Sequence, residues 1–257
     1  MPDWFGVAVA AAYGLVAGSF LNVVIHRLPR GGSLLRPSSR CPKCGAPVRW
    51  FDNVPVLSYV MLCGHCRACR APISPRYPAV ELLGGALAVS ALVRFGLTAA
   101  GVEAMLLLML LIPLAFIDLE HHLLPDVLTL PGIAVGFAGS LVGGLAAPLD
   151  AVIGAGVGAA VPYAVIVTYR WLRGAEGMGL GDVKLLAMIG AFLGWRGVLL
   201  TLGLGATAGA ALGVGLIALG KGRRDTELPL GTFLAGAAAL VLFAGPSLLG
   251  LLGWVRR

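Results

Sequence analysis

Three features of the sequence predict an all-α polytopic membrane protein of about eight transmembrane helices. Hydrophobic residues make up 58% of the 257 positions and charged ones only 12%, with a mean hydropathy of +0.92. That is more apolar surface than a soluble globular domain can hide. Apolar stretches of the length that a hydrocarbon core of about 30 Å requires recur along the chain. The basic residues are also spread unevenly, in the way that orients helices in a bilayer.

The stretches lie near 4–25, 78–96, 101–118, 126–146, 149–171, 182–195, 197–219 and 230–253. The first, WFGVAVAAAYGLVAGSFLNVVI, has no basic region before it and is followed by His26, Arg27 and Arg30. It reads as a retained anchor with its N-terminus outside, not a cleaved signal. Residues 26–77 follow as the one sizeable polar segment, with nine Lys or Arg against a single acid, Asp52. An excess of basic charge places it in the cytoplasm. The expected organisation is therefore a first helix over 1–25, a cytoplasmic loop domain over 26–77 and a membrane domain over 78–257.

Threading the later spans from this anchor puts Arg170, Arg173, Lys184, Lys221, Arg223 and Arg224 inside. Only Arg94, Arg196, Arg256 and Arg257 fall outside, so fifteen of nineteen basic residues are cytoplasmic. The net charge of +7 is then an orientation signal and an attraction to anionic membrane lipid, with no nucleic-acid partner implied. No second soluble domain and no convincing repeat stands out. Gly205, Gly209 and Gly213, like Gly154 and Gly158, recur every four residues, the spacing that lets helix backbones approach closely in lipid. Pro162 is expected to kink the fifth span.

All five cysteines lie in the polar segment, as CPKC (Cys41, Cys44) and CGHCRAC (Cys63, Cys66, Cys69). Paired C-x2-C turns deliver two sulfurs each to a tetrahedral ion, so Cys41, Cys44, Cys66 and Cys69 read as ligands of structural Zn2+ in a zinc-ribbon-like loop. Cys63 and His65 leave the choice on the second arm open. Reduced structural cysteines or a disulfide are the alternatives, and a cytoplasmic location argues against the disulfide. Four thiolates leave no open position for a catalytic metal.

Carboxylates at a membrane edge are costly and mark function. Asp118 and Glu120 close the third stretch in AFIDLEHHLLPD, Asp126 opens the fourth and Asp182 opens the sixth. Two carboxylates brought together from separate helices do not both ionise easily, so the pair can act as base and acid toward a water and a peptide carbonyl. Asp182 is equally placed to cap a helix, and Asp126 after Pro125 reads better as a cap. Asp118 has no such role at a helix C-terminus, where the dipole disfavours it. A proton- or ion-coupled transporter is the rival reading. It would hold its acids near the bilayer midplane, whereas these gather at one face.

In order along the chain, GSFLNVVIHRLP (18–29), the two CxxC pairs, DNVP (52–55), ISPRYPAVEL (73–82), IDLEHHLLPD (117–126) and GMGLGDVKLL (177–186) together resemble the bacterial type IV prepilin peptidases, the leader peptidase and N-methyltransferase family of GxGD aspartic proteases. The resemblance implies that Asp118 and Asp182 are the catalytic pair, with Gly179, Leu180, Gly181 and Asp182 as the G-x-G-D signature. It implies a prepilin or pseudopilin substrate, cut at the cytoplasmic face of the inner membrane after a short basic leader, usually between Gly and Phe. It further implies methylation of the new N-terminus by S-adenosylmethionine in many members, and a four-cysteine set falling on Cys41, Cys44, Cys66 and Cys69. LPLGTFLAGA (228–237) looks like the family's PFGPFL-type segment, with Thr232 where a proline is common.

Overall fold

The structure, a computed structural model, describes residues 4–36, 38–174, 178–220 and 228–251. Lys221, Arg223, Arg224, Arg256, Arg257, Gly177 and the last residues of the eighth stretch lie outside them. The described residues hold eight α-helices and no strand, and they fall into two compact units, Met1–Leu97 and Thr98–Arg257.

In the first unit α1 (Trp4–Arg27) packs on α3 (Arg76–Phe95). The two run antiparallel and touch through glycines. A Cβ on Gly14 would lie 2.4 Å from the Gly84 carbonyl oxygen, and one on Gly18 would lie 2.8 Å from the Glu81 Cα. Asn22, buried one turn further on, donates from Nδ2 to the Tyr77 carbonyl at 3.0 Å. Between these helices the polar segment forms short 3-10 turns, two cysteine loops and the one-turn helix α2 (Leu57–Met61).

The second unit contains α4 (Ala99–His121), α5 (Asp126–Leu141), α6 (Pro148–Arg173), α7 (Leu180–Ala218) and α8 (Leu230–Leu251). Thr98 caps α4 by accepting the Gly101 N–H. The helical record of α6 runs through Pro162 without a break. α5 stops at Leu141, short of the expected 146, because the chain turns at Gly143 (φ +82) and the buried Glu103 of α4 takes the Leu145 N–H.

α7 has 39 residues, but Gly194 inside it is not helical (φ 69, ψ 177). Before this residue, Gly190 and Leu186 lie against Gly154 and Gly158 of α6; after it, Gly205 and Gly213 lie against Leu234 and Leu228. Gly194 itself sits beside Asp150 at the start of α6. Both ends of α7 therefore return to the same end of the unit, and Gly194 is a reversal between two antiparallel helices. Among the described residues, six helices are long and apolar enough to cross a membrane. Counting α5 and the two halves of α7 separately, the eight expected spans are all present as helices. The four-residue glycine spacings are contact faces, as expected: a Cβ on Gly154, Gly158 or Gly190 would lie within 2.2 Å of a facing carbonyl oxygen.

Candidate active site

Asp118 lies in the last turn of α4, where its carbonyl accepts the N–H of His122, a left-handed residue (φ 51) that ends the helix. The residue is 5% exposed. One oxygen, Oδ2, accepts the Thr232 backbone N–H at 2.7 Å and has the Thr232 hydroxyl at 3.2 Å. The same hydroxyl lies 2.9 Å from the Ala115 carbonyl, one turn back on α4. Thr232 stands in the first turn of α8, whose unsatisfied N–H groups suit a carboxylate. Gly231, next to it, has to be small because a Cβ there would lie 3.0 Å from Asp118 Cγ and from Leu124.

Asp182 is 8% exposed and stands at the third position of α7, not at the cap itself. Gly179 is the cap residue; its N–H donates to Asp182 Oδ2 at 3.3 Å, and the Asp182 N–H donates back to the Gly179 carbonyl at 3.1 Å. Gly179 has no side chain, so only the carboxylate arm of a capping box is formed. Asp118 and Asp182, expected as a pair, are brought within electrostatic range of each other from separate helices. Leu124 packs between Gly181 and Gly231 and closes the gap under them.

The expectation that Asp126 caps α5 does not hold. Pro125 is the cap residue, and both oxygens of Asp126 receive Lys184 Nζ at 2.7 Å. This pair ties the start of α5 to the start of α7 beside Asp182, though both partners are substantially exposed, where an ion pair contributes little stability. Thr232 and Gly231 escape a sequence reading because their partner is more than a hundred residues away. The signal was the departure from proline at position 232, since a proline there could offer Asp118 no N–H.

In the first unit, the Sγ atoms of Cys41, Cys44, Cys66 and Cys69 lie within 4.8 Å of one another, with Cys41 and Cys69 at 3.9 Å. Zn–S bonds of about 2.3 Å in a tetrahedron require sulfurs about 3.8 Å apart, so the set fits zinc. Cys63 is outside it, at φ 50, and its carbonyl lies 2.6 Å from His65 Nδ1. The open choice on the second arm thus falls to Cys66 and Cys69.

A short repeat, passed over in the sequence, explains the symmetry: CPKCGAPV (41–48) and CRACRAPI (66–73). In each, the first Cys N–H bonds to the alanine carbonyl five residues on and its carbonyl receives the N–H of the left-handed residue after the second Cys, Gly45 or Arg70. Each loop is closed by an isolated bridge, Arg40 with Pro47 and His65 with Pro72. N–H groups of Cys44 and Lys43 bring the Cys41 thiol down to about 6. At Cys44 the Ala46 N–H acts the same way, but the neighbouring thiols, Cys69 first, outweigh it and push the group up to about 11. Asp52 clasps Arg67 of the second loop through three contacts of 2.6–3.1 Å, and this hydrogen bonding holds its carboxyl below the usual range.

Comparison with known proteins agrees with this geometry. Residues 12–95 match the bacterial peptidase A24 N-terminal domain and residues 105–214 the type IV leader peptidase family. Curated relatives named prepilin leader peptidase/N-methyltransferase include one from Burkholderia pseudomallei, 42% identical over 98% of this chain and 90% of its own length. Another is from Myxococcus xanthus, 45% identical over 88% and 69%, and a third from Pseudomonas aeruginosa, 38% identical over 90% and 88%. No solved structure matches. With this likeness running through both units, the chain belongs to the type IV leader peptidase family.

Proposed function

We propose that Asp118 and Asp182 are the catalytic dyad of a membrane-embedded aspartic endopeptidase, which removes the basic leader of a prepilin or pseudopilin at the cytoplasmic face of the inner membrane. The observation that carries this reading is the buried carboxylate pair at the ends of separate helices, with Asp118 fixed through one oxygen by Thr232. The Thr232 bonds hold the carboxylate by Oδ2, which leaves Oδ1 as the oxygen that would face a water. A pair sharing one proton supplies a base for that water and an acid for the carbonyl oxygen or the departing amine. Cleavage forms the carboxylate of the leader and frees the amine of the mature chain.

The freed amine is then the acceptor for a methyl group from S-adenosylmethionine, as the N-methyltransferase part of the relatives' name suggests. Cys41, Cys44, Cys66 and Cys69 would hold zinc through four sulfurs, and the ion would tie together two short loops that have little apolar core of their own. The positive-inside bias of the chain supports the orientation of this site.

Incubating the purified protein in lipid with a prepilin and S-adenosylmethionine, and following leader loss and N-terminal mass together, tests both activities. The expected product is the mature chain plus one methyl. Absence of cleavage overturns the dyad, and cleavage without the mass increment removes the second activity.

A further inference from the structure

The segment between α1 and α3 contains a strained turn that the catalytic reading does not use. Val56 has φ 62 and ψ −48, and the Leu57 N–H reaches back to the Pro55 carbonyl at 2.6 Å. This is a γ-turn of the uncommon, positive-φ kind, and a β-branched residue adopts it only where its surroundings impose it. What imposes it is Glu81: its Oε2 accepts the Val56 N–H at 2.7 Å, and the residue is buried. Ser58, also buried, bonds to the Phe51 carbonyl and to the Val54 N–H and fixes the other side of the turn.

Glu81 is not at the end of α3. It is five residues inside the helix that begins at Arg76 and lies against Gly18, nine residues before the end of α1 at Arg27. At 1.5 Å per residue these offsets are about 8 Å and about 13 Å. The bond therefore ties the start of α2 to a point about 8 Å inside α3 and not to its end. There α2 presents Leu57, Val60 and Met61, spaced i, i+3, i+4 on one face and 62%, 65% and 80% exposed. Leu82 and Leu83, which follow Glu81 in the spanning helix α3, are exposed too, so α3 is apolar on its outer surface at the level where the turn is anchored.

We infer that residues 54–61 are seated in the lipid leaflet at the basic end of α1 and α3, with Leu57, Val60 and Met61 among the acyl chains. The depth fits an interfacial element, which sinks roughly 5–10 Å into the boundary between headgroups and chains. The basic charge of the surrounding segment, nine Lys or Arg against an Asp52 already clasped by Arg67, suits an anionic headgroup layer above it. This seat stands independently of the catalytic assignment.

The test is a nitroxide attached through a non-natural residue at position 60, which leaves the native cysteines intact, in nanodiscs containing anionic lipid. Collision with oxygen, which concentrates in the bilayer, is compared with collision with a water-soluble nickel chelate. Labels at 43 and 82 are the water and lipid references. The label at 60 should follow 82, with an oxygen-to-nickel ratio several-fold above that at 43. In a Glu81→Ala background that still holds one zinc per chain, it should shift toward the value at 43. A label at 60 in the unaltered chain that follows 43 overturns the inference. So does spin–spin broadening that vanishes when labelled chains are diluted with unlabelled ones, since a second copy would then cover the face.

Discussion

Thr232 gives both its N–H and its hydroxyl to the neighbourhood of one Asp118 oxygen, so its role can be separated from that of the acids. Thr232→Val keeps the N–H and loses the hydroxyl. Loss of a hydrogen bond to a charged group is worth about 1.5–3 kcal/mol, which predicts a fall in kcat of about tenfold or more with KM little changed, read from initial cleavage rates. Thr232→Ser should restore it. Asp118→Asn or Asp182→Asn keeps the shape but not the proton chemistry, and should lower cleavage by at least about 10²- to 10⁴-fold with the protein still folded and inserted. In the first unit, Cys66→Ser should lose the metal while Cys63→Ser retains one zinc per chain, by metal analysis. The buried acids and the four-cysteine cluster were legible as features because carboxylates near a span and paired CxxC turns are rare and chemically specific. Thr232 and Glu81 were not, because a threonine or a glutamate carries no local mark of the partner that folding brings to it.

The contact between α6 and the first part of α7 is made by backbone against backbone. Gly158 faces the Leu186 carbonyl, with no room for a methyl, whereas nothing lies within 4 Å of a Cβ at Gly156. Gly158→Ala should therefore destabilise by roughly 1–3 kcal/mol, the usual result of overpacking, and Gly156→Ala should be near neutral, by thermal unfolding in detergent. Gly194→Ala meets a different obstacle, since φ 69 with ψ 177 is a region almost reserved for glycine and costs another residue roughly 1–3 kcal/mol. The break between the sixth and seventh stretches was readable in the sequence as a change of span. Its form was not: Gly194, just before Trp195 and Arg196, carries no mark that the chain turns back at that one residue, and the facing glycines of α6 and the start of α8 decide it.

For the molecule as a whole, charge placement sets the orientation. Reporter fusions after residues 97 and 196 should read as outside, and one after 174 as inside, if the basic loops are retained in the cytoplasm. The eight-span count was legible because hydropathy and charge bias are summed over many residues and survive local errors. The boundaries were not, since α5 ends where Glu103 captures Leu145, a tertiary event. The early end of α5 and the reversal at Gly194 also have a physical consequence for the surrounding bilayer. α5 has 16 residues, about 24 Å at the helical rise, and the part of α7 before Gly194 is shorter still, against a hydrocarbon core of about 30 Å. Such a mismatch thins the bilayer locally or draws headgroups and water inward, and both short helices begin at the Asp126 and Asp182 end. On the mechanism proposed for Asp118 and Asp182, water for hydrolysis would reach them through such a dimple in the membrane, and cleavage should slow as the acyl chains of the host bilayer are lengthened.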